Sequence, residues 1–180
     1  PDFAFALKGD AERGRRITKA LFKSDGADHY SKTVAVIING HLSGDHQQRA
    51  DEQVAFQHMS YKLAKMMDTT NASFIFLPFG TKQPWDDRTA NANVASKCKF
   101  FKKNTIVYSP LDVQNTLDVI AGVDAVISSR LHASIFAIAS ETPFIDITHN
   151  HKNLGLLETL NLMELSVSYG GFDAKRAAEI

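Results

Sequence analysis

The chain has a single cysteine, Cys98, among 180 residues. That excludes an intramolecular disulfide and any structural zinc site built from several thiolates, and it fits a reducing cytosol. No apolar run approaches the roughly 20 residues of a membrane span. No basic start leads into an apolar stretch, so no secretory signal is visible and a cytoplasmic location is expected. An excess of charge is missing too, since 20 Lys and Arg balance 20 Asp and Glu. No global field draws the chain to nucleic acid or anionic lipid. Gly40 and Gly44 lack the spacing of a dinucleotide fingerprint, which argues against a nicotinamide enzyme. An initiating methionine is also absent, and the sequence opens at Pro1 as though cut from a longer chain.

What is present is ordinary for one globular domain with a substantial core: 44% hydrophobic and 22% charged residues. Residues 1–32 are polar and mixed. They read as a lead-in segment or interdomain linker with a short helix over 11–22, its apolar side made by Ile17, Leu21 and Phe22. From residue 33 to 180, strand-like and helix-like segments alternate. Thr33–Asn39, Ser73–Leu77, Thr105–Tyr108, Ala125–Ile127 and Pro143–Ile147 are apolar and rich in β-branched residues, as strands buried on both faces are. Glu164–Ser168 is a sixth candidate. Helices are expected over 49–68, with Val54, Met59, Leu63 and Met66 inward, and over 89–101. Others are expected over 113–121 (capped by Asp112 and stopped by Gly122), over 130–140, after a cap at Asn150, and over 173–180. Such βαβ alternation predicts an α/β, Rossmann-like open parallel sheet with helices on both faces.

Ligands of such sheets bind beyond the carboxyl ends of the strands. Those ends carry Asn39 and His41, then Gly80 with Asp86, Asp87 and Arg88, then Ser128 to His132, then His149 to Lys152. Five of the seven histidines (His41, His46, His132, His149, His151) fall on this edge. The most informative stretch is Val126-Ile-Ser-Ser-Arg-Leu-His-Ala-Ser-Ile-Phe-Ala. A tight strand-to-helix turn presents backbone N–H groups and the positive helix end, a ready anion site that Ser128 or Ser129 could cap. With Leu131 directed into the core, Arg130 and His132 lie about 100° to either side of it. Arginine offers a planar fork for carboxylate or phosphate, and histidine can give or take a proton. The plain alternative is a surface arginine beside a partly buried histidine, and spacing alone leaves the two readings about even.

Other features have similar pairs of readings. His41, Asp45 and His46 make a weak metal motif, and no metal site is assigned. Asp86-Asp87-Arg88 reads equally as a helix start favoured by the dipole and as part of a site. Lys97, Lys99, Lys102 and Lys103 around Phe100 and Phe101 read as a solvated helix end sooner than as a nucleic-acid surface. Trp85 could stack on a sugar ring or pack locally.

The run Asp124 to Ala137, followed by Pro143-Phe-Ile-Asp-Ile, Lys152 and Leu156-Leu-Glu-Thr-Leu, resembles the polysaccharide pyruvyl transferase family. Pro1-Asp2-Phe3-Ala4-Phe5 resembles the start of that family's second half, and Asp86-Asp87 matches a recurring acidic pair. The chain departs from the family ahead of Lys152, where His149-Asn150 stands in place of Tyr-Asp. The resemblance implies the C-terminal half of a glycosyltransferase-B-like fold, with the N-terminal domain of the same chain as its missing partner. It implies phosphoenolpyruvate as donor substrate, no further cofactor, and a glycan or lipid-linked saccharide as acceptor, joined as a pyruvate ketal. Arg130 and His132 are then the catalytic candidates. Ser129, Lys152, His149, Asn150, Asn39, His41, Gly80, Asp87 and Arg88 are the candidates for binding. Two other functions fit the same edge: half of a nucleotide-sugar glycosyltransferase or epimerase, and a non-catalytic anion-binding module.

Overall fold

A computed structural model describes residues 3–39, 46–83, 86–148, 151–168 and 170–172, apart from the side chains of 46–49 and 101. The elements run α1 (Ala11–Asp25), β1 (Thr33–Ile37), α2 (His46–Thr69), β2 (Ser73–Phe76), α3 (Asp87–Ala95) and β3 (Asn104–Ile106). There follow α4 (Val113–Gly122), β4 (Ala125–Ser128), α5 (Leu131–Ala139), β5 (Phe144–Thr148), α6 (His151–Thr159) and β6 (Ser166–Ser168). All six strands are parallel, in the order β3-β2-β1-β4-β5-β6. This is the expected α/β, Rossmann-like open sheet. Val36 of β1 pairs with Phe76 on one side and Ile127 on the other. The connectivity therefore reverses between β1 and β4, which is where sheets of this kind open a crevice.

Strand periodicity divides the apolar residues between two faces. Val36, Phe74, Phe76, Ile127, Ile145 and Ile147 face a core completed by Phe56, Met59, Leu63 and Met67 of α2 and Val94 of α3. Ala35, Ile37, Ile75, Val126 and Phe144 face the opposite core, with Phe22 of α1, Leu117 and Ile120 of α4, Phe136 of α5 and Leu157 of α6. Each large side chain so buried contributes about 1.5–3 kcal/mol. Both faces of the sheet are thus covered.

Several elements differ from the sequence expectation. Val54 is 71% exposed; the inward stripe of α2 runs instead through Phe56, Met59, Leu63, Met66 and Met67. The third helix begins at Asp87, because the Asp86 carboxylate accepts from the Arg88 amide as an N-cap. It ends at Ala95, short of 101. Beyond it the amides of Lys99 and Phe100 donate to Asp68, which pins the segment to the end of α2. Lys103 turns inward there, donating to the carbonyls of Thr70 and Asp68, and burial lowers its pKa. Asp112 caps α4 through the Asn115 amide, as expected. Gly122 is required for a different reason than expected: α1 passes so close that a Cβ there would lie 2.6 Å from the Arg15 nitrogen. Residues Met163–Leu165 form a 3-10 turn, leaving β6 as Ser166–Ser168. The expected cap at Asn150 and helix over 173–180 lie outside the described residues.

Candidate active site

The turn leaving β4 is shaped by hydroxyls. Ser128 Oγ accepts from the Arg130 amide at 2.9 Å. Ser129 Oγ accepts from the Asn39 amide at 2.7 Å, while the Ser129 amide donates to the Ile37 carbonyl at 2.9 Å. These bonds tie the ends of the two strands that flank the switch point. Neither serine caps α5; that place belongs to Arg130, whose side chain makes no capping bond. The fork of Arg130 reaches across to Asp87, 43 positions earlier, through Nε at 3.1 and 3.0 Å and through Nη2.

Asp87 has no exposed surface. Beyond the guanidinium, its carboxylate accepts from the amides of Phe79 at 3.0 Å and Gly80 at 2.9 Å. Its own amide donates back to the Gly80 carbonyl. A buried carboxylate is tolerable only when it is so surrounded. It therefore acts on its surroundings through Arg130, which keeps 19% of its side-chain surface exposed.

That exposed part borders a hollow of about 330 Å³ at the carboxyl ends of β1 and β4. Arg130, Leu131 and His132 line one side, Asn39 and Ser129 the floor of the switch point, Lys152 and Asn153 the α6 side, and Phe79 the β2 side. Arg130 and His132 thus share one hollow, and the ion pair with Asp87 leaves that space open. A helix's first amides have no partner within the helix, so the start of α5 adds partial positive charge. Leu131 is not directed into the core as expected. It is part-exposed and lines the hollow, and the buried stretch of α5 begins at Ala133.

A family model for polysaccharide pyruvyl transferase matches residues 1–151. The chain belongs to the polysaccharide pyruvyl transferase family. That makes it a pyruvyl transferase-like domain of a transferase family whose name implies a glycan acceptor. The match takes in Arg130 and His132 and stops one residue before Lys152. No curated protein matches the chain at a significant level.

The other sequence candidates of this pyruvyl transferase-family domain fall in several places. Gly80 contributes its amide to the Asp87 clamp. Arg88 points to Asp86 and to the Thr81 carbonyl, and it is not among the residues lining the hollow. The Arg88 guanidinium holds the Asp86 carboxyl below its usual range, against a smaller push from burial, and Asp86 in turn raises Arg88. His41, His149 and Asn150 lie outside the described residues, as do Asp45 and Trp85. Among the described residues no group of three or more His, Cys, Asp or Glu side chains could hold a metal, and no helix is long and apolar enough to cross a membrane. Burial pushes the Cys98 thiol up to about 11, so it is no thiolate near neutrality.

Sequence reasoning gave no role to Phe79, Asn153 or Asp146. Asp146, fully buried in the middle of β5, accepts from Asn153 Nδ2 at 2.7 Å, Ser134 Oγ at 2.6 Å and Thr148 Oγ1 at 3.0 Å. It fixes Asn153 against the hollow. A lone carboxylate in the apolar run Phe144–Thr148 was the available signal.

Proposed function

We propose that this domain binds phosphoenolpyruvate in the 330 Å³ hollow and serves transfer of its pyruvyl group to a glycan sugar as a ketal. The observation that carries the reading is a guanidinium, held by a buried carboxylate at the start of a helix, that borders one hollow together with an imidazole-bearing residue. Phosphoenolpyruvate has a phosphate and a carboxylate, and recognising both takes cations and oriented N–H donors. Arg130, Lys152 and the first turn of α5 supply them.

In the reaction one sugar hydroxyl adds to C2 of the donor while the methylene carbon takes a proton. A second hydroxyl then displaces phosphate from the same carbon and closes the ketal. Two hydroxyl protons leave; one is matched by the new methyl C–H and the other goes with phosphate or a base. No covalent enzyme intermediate is required. His132 is assigned the proton transfers, because an imidazole can both give and take a proton and this one borders the same hollow as Arg130. Asp87 positions Arg130 and contacts no substrate.

His132→Ala and Arg130→Ala in the full-length protein are expected to nearly abolish phosphate release coupled to pyruvyl transfer, while circular dichroism and melting show a folded protein. Near-normal turnover in either removes the assignment. Calorimetric titration with phosphoenolpyruvate and with nucleotide sugars separates this reading from the nucleotide-sugar one, since binding of the latter alone reverses it.

A further inference from the structure

Beside the first hollow lies a second, of about 280 Å³, at the carboxyl ends of β2 and β3 and the start of α4. The two share Phe79 and His132 as lining residues, so His132 borders both. Their chemistry differs. Phe79, Leu111, Val113 and Phe136 dominate the second hollow, Thr116 and His132 are its polar side chains, and no Asp, Glu, Lys or Arg is among the described residues lining it. The Phe79 and Phe136 rings lie 6.0 Å apart, tilted by 46°. A second phosphate or carboxylate has no counter-charge here. A volume just below the usual range for ligand pockets, about 300–1,000 Å³, suits one ring better than a lipid chain or a peptide.

We propose that this second hollow seats the acceptor sugar. A pyranose carries its hydroxyls around the rim and polarised C–H bonds on its faces, which suit the negative face of an aromatic ring. With its C–H face on the part-exposed Phe79, and with the edge of the buried Phe136 behind it, the sugar presents a rim hydroxyl toward His132, while the donor lies on the other side of that residue. The proposal rests on the pyruvyl-transfer reading and adds where the second substrate sits. Continuity through a shared proton-transfer residue is what favours a sugar over a covering protein segment, since a two-substrate reaction needs both partners within reach of that group.

The test uses the full-length protein, saturation-transfer NMR with methyl glucopyranoside, galactopyranoside and mannopyranoside, and calorimetry with phosphoenolpyruvate. Val113→Trp fills the mouth of the hollow at a position that is 63% exposed, so the fold should tolerate it; Leu111→Asn is a second, milder variant. The expected result is saturation of ring C–H protons in at least one glycoside, reduced at least about fivefold by Val113→Trp, with phosphoenolpyruvate affinity changed less than about twofold. The proposal is overturned if no glycoside is saturated or if saturation survives both variants. It is equally overturned if Val113→Trp lowers the melting temperature by several degrees and leaves saturation intact, which would mean that protein already fills the space. Failure of phosphoenolpyruvate to bind the unaltered protein removes the donor reading and this proposal with it, and it shows in the calorimeter, not in the spectra.

Discussion

Asp118 of α4 and Asp87 of α3 are both buried, and each holds an arginine while accepting from at least one backbone amide. Asp118 accepts from the Asp10 amide and Gln114 Nε2, both at 2.8 Å, and from Arg13. Asp87 accepts from the Phe79 and Gly80 amides and from Arg130. What differs is the space beyond the guanidinium. Arg13 is 44% exposed and turns its other end to Asn115 on the outer surface of α4. Arg130 lies at the point where the strand order reverses, with a hollow in front of it. The same ion pair is a brace between two helices in one place and the border of an open hollow in the other. Topology decides which, because only the second pair stands at the carboxyl ends of parallel strands.

The largest expected effect breaks the brace. A Cβ on Gly14 would lie 1.7 Å from the Asp118 carbonyl oxygen, a backbone atom that cannot move aside. Gly14→Ala should therefore cost at least about 3 kcal/mol in urea unfolding, above the usual overpacking range, because two helices must separate. A loss below about 1 kcal/mol would mean that α1 and α4 can slide apart cheaply.

The second effect sharpens the other half. Arg130→Ala should weaken phosphoenolpyruvate binding about 100-fold, about 2.7 kcal/mol, as loss of a charge-assisted double contact does. Asp87→Asn should weaken it about tenfold in the natural background and not at all in the Arg130→Ala background. A double-mutant cycle read by calorimetry isolates that dependence. An unchanged tenfold loss in both backgrounds would mean that Asp87 acts on the ligand by another route.

The smallest effect returns to the brace. Burial pushes the Asp118 carboxyl up, but the Asp10 amide, Gln114 and Arg13 together outweigh it and leave it below the ordinary value. A depressed pKa gives stability that is present above the unfolded value, about 3.9, and lost as pH falls through the folded one. Asp118→Asn should cost about 1 kcal/mol at pH 7, discounted because Arg13 is partly solvated, and should leave phosphoenolpyruvate affinity untouched. The gap between the two proteins in urea unfolding should shrink as pH drops below about 4. A gap constant from pH 7 to pH 3 would show that the charge contributes nothing.

The strands were legible because burial on both faces writes continuous apolar runs such as Thr33–Ile37 and Phe144–Thr148. The turn before α5 was legible because hydroxyl, cation and imidazole follow one another at a strand end. Strand order was not, since nothing local in β1 says that β4 will be its neighbour. Helical spacing points Val54 inward and the apolar composition of α5 points Leu131 inward, yet one faces solvent and the other the hollow, because what packs against a helix face is set by elements far along the chain. Burial of Asp87 was hidden for the same reason. It sits after a polar loop that looks solvated, and its partner is 43 residues away. Phe79 looked like one more loop residue until the fold set its amide against Asp87 and its ring against Phe136.

That double use of Phe79 limits how the domain can diversify. Its backbone helps set the angle of the guanidinium, and its ring forms a wall of the neighbouring apolar space. A change in the loop after β2 that reshapes one chamber also tilts the arginine bordering the other. The shape of the second chamber is more easily altered from Leu111, Val113 or Thr116, around the start of α4, which line it and take no part in the carboxylate clamp.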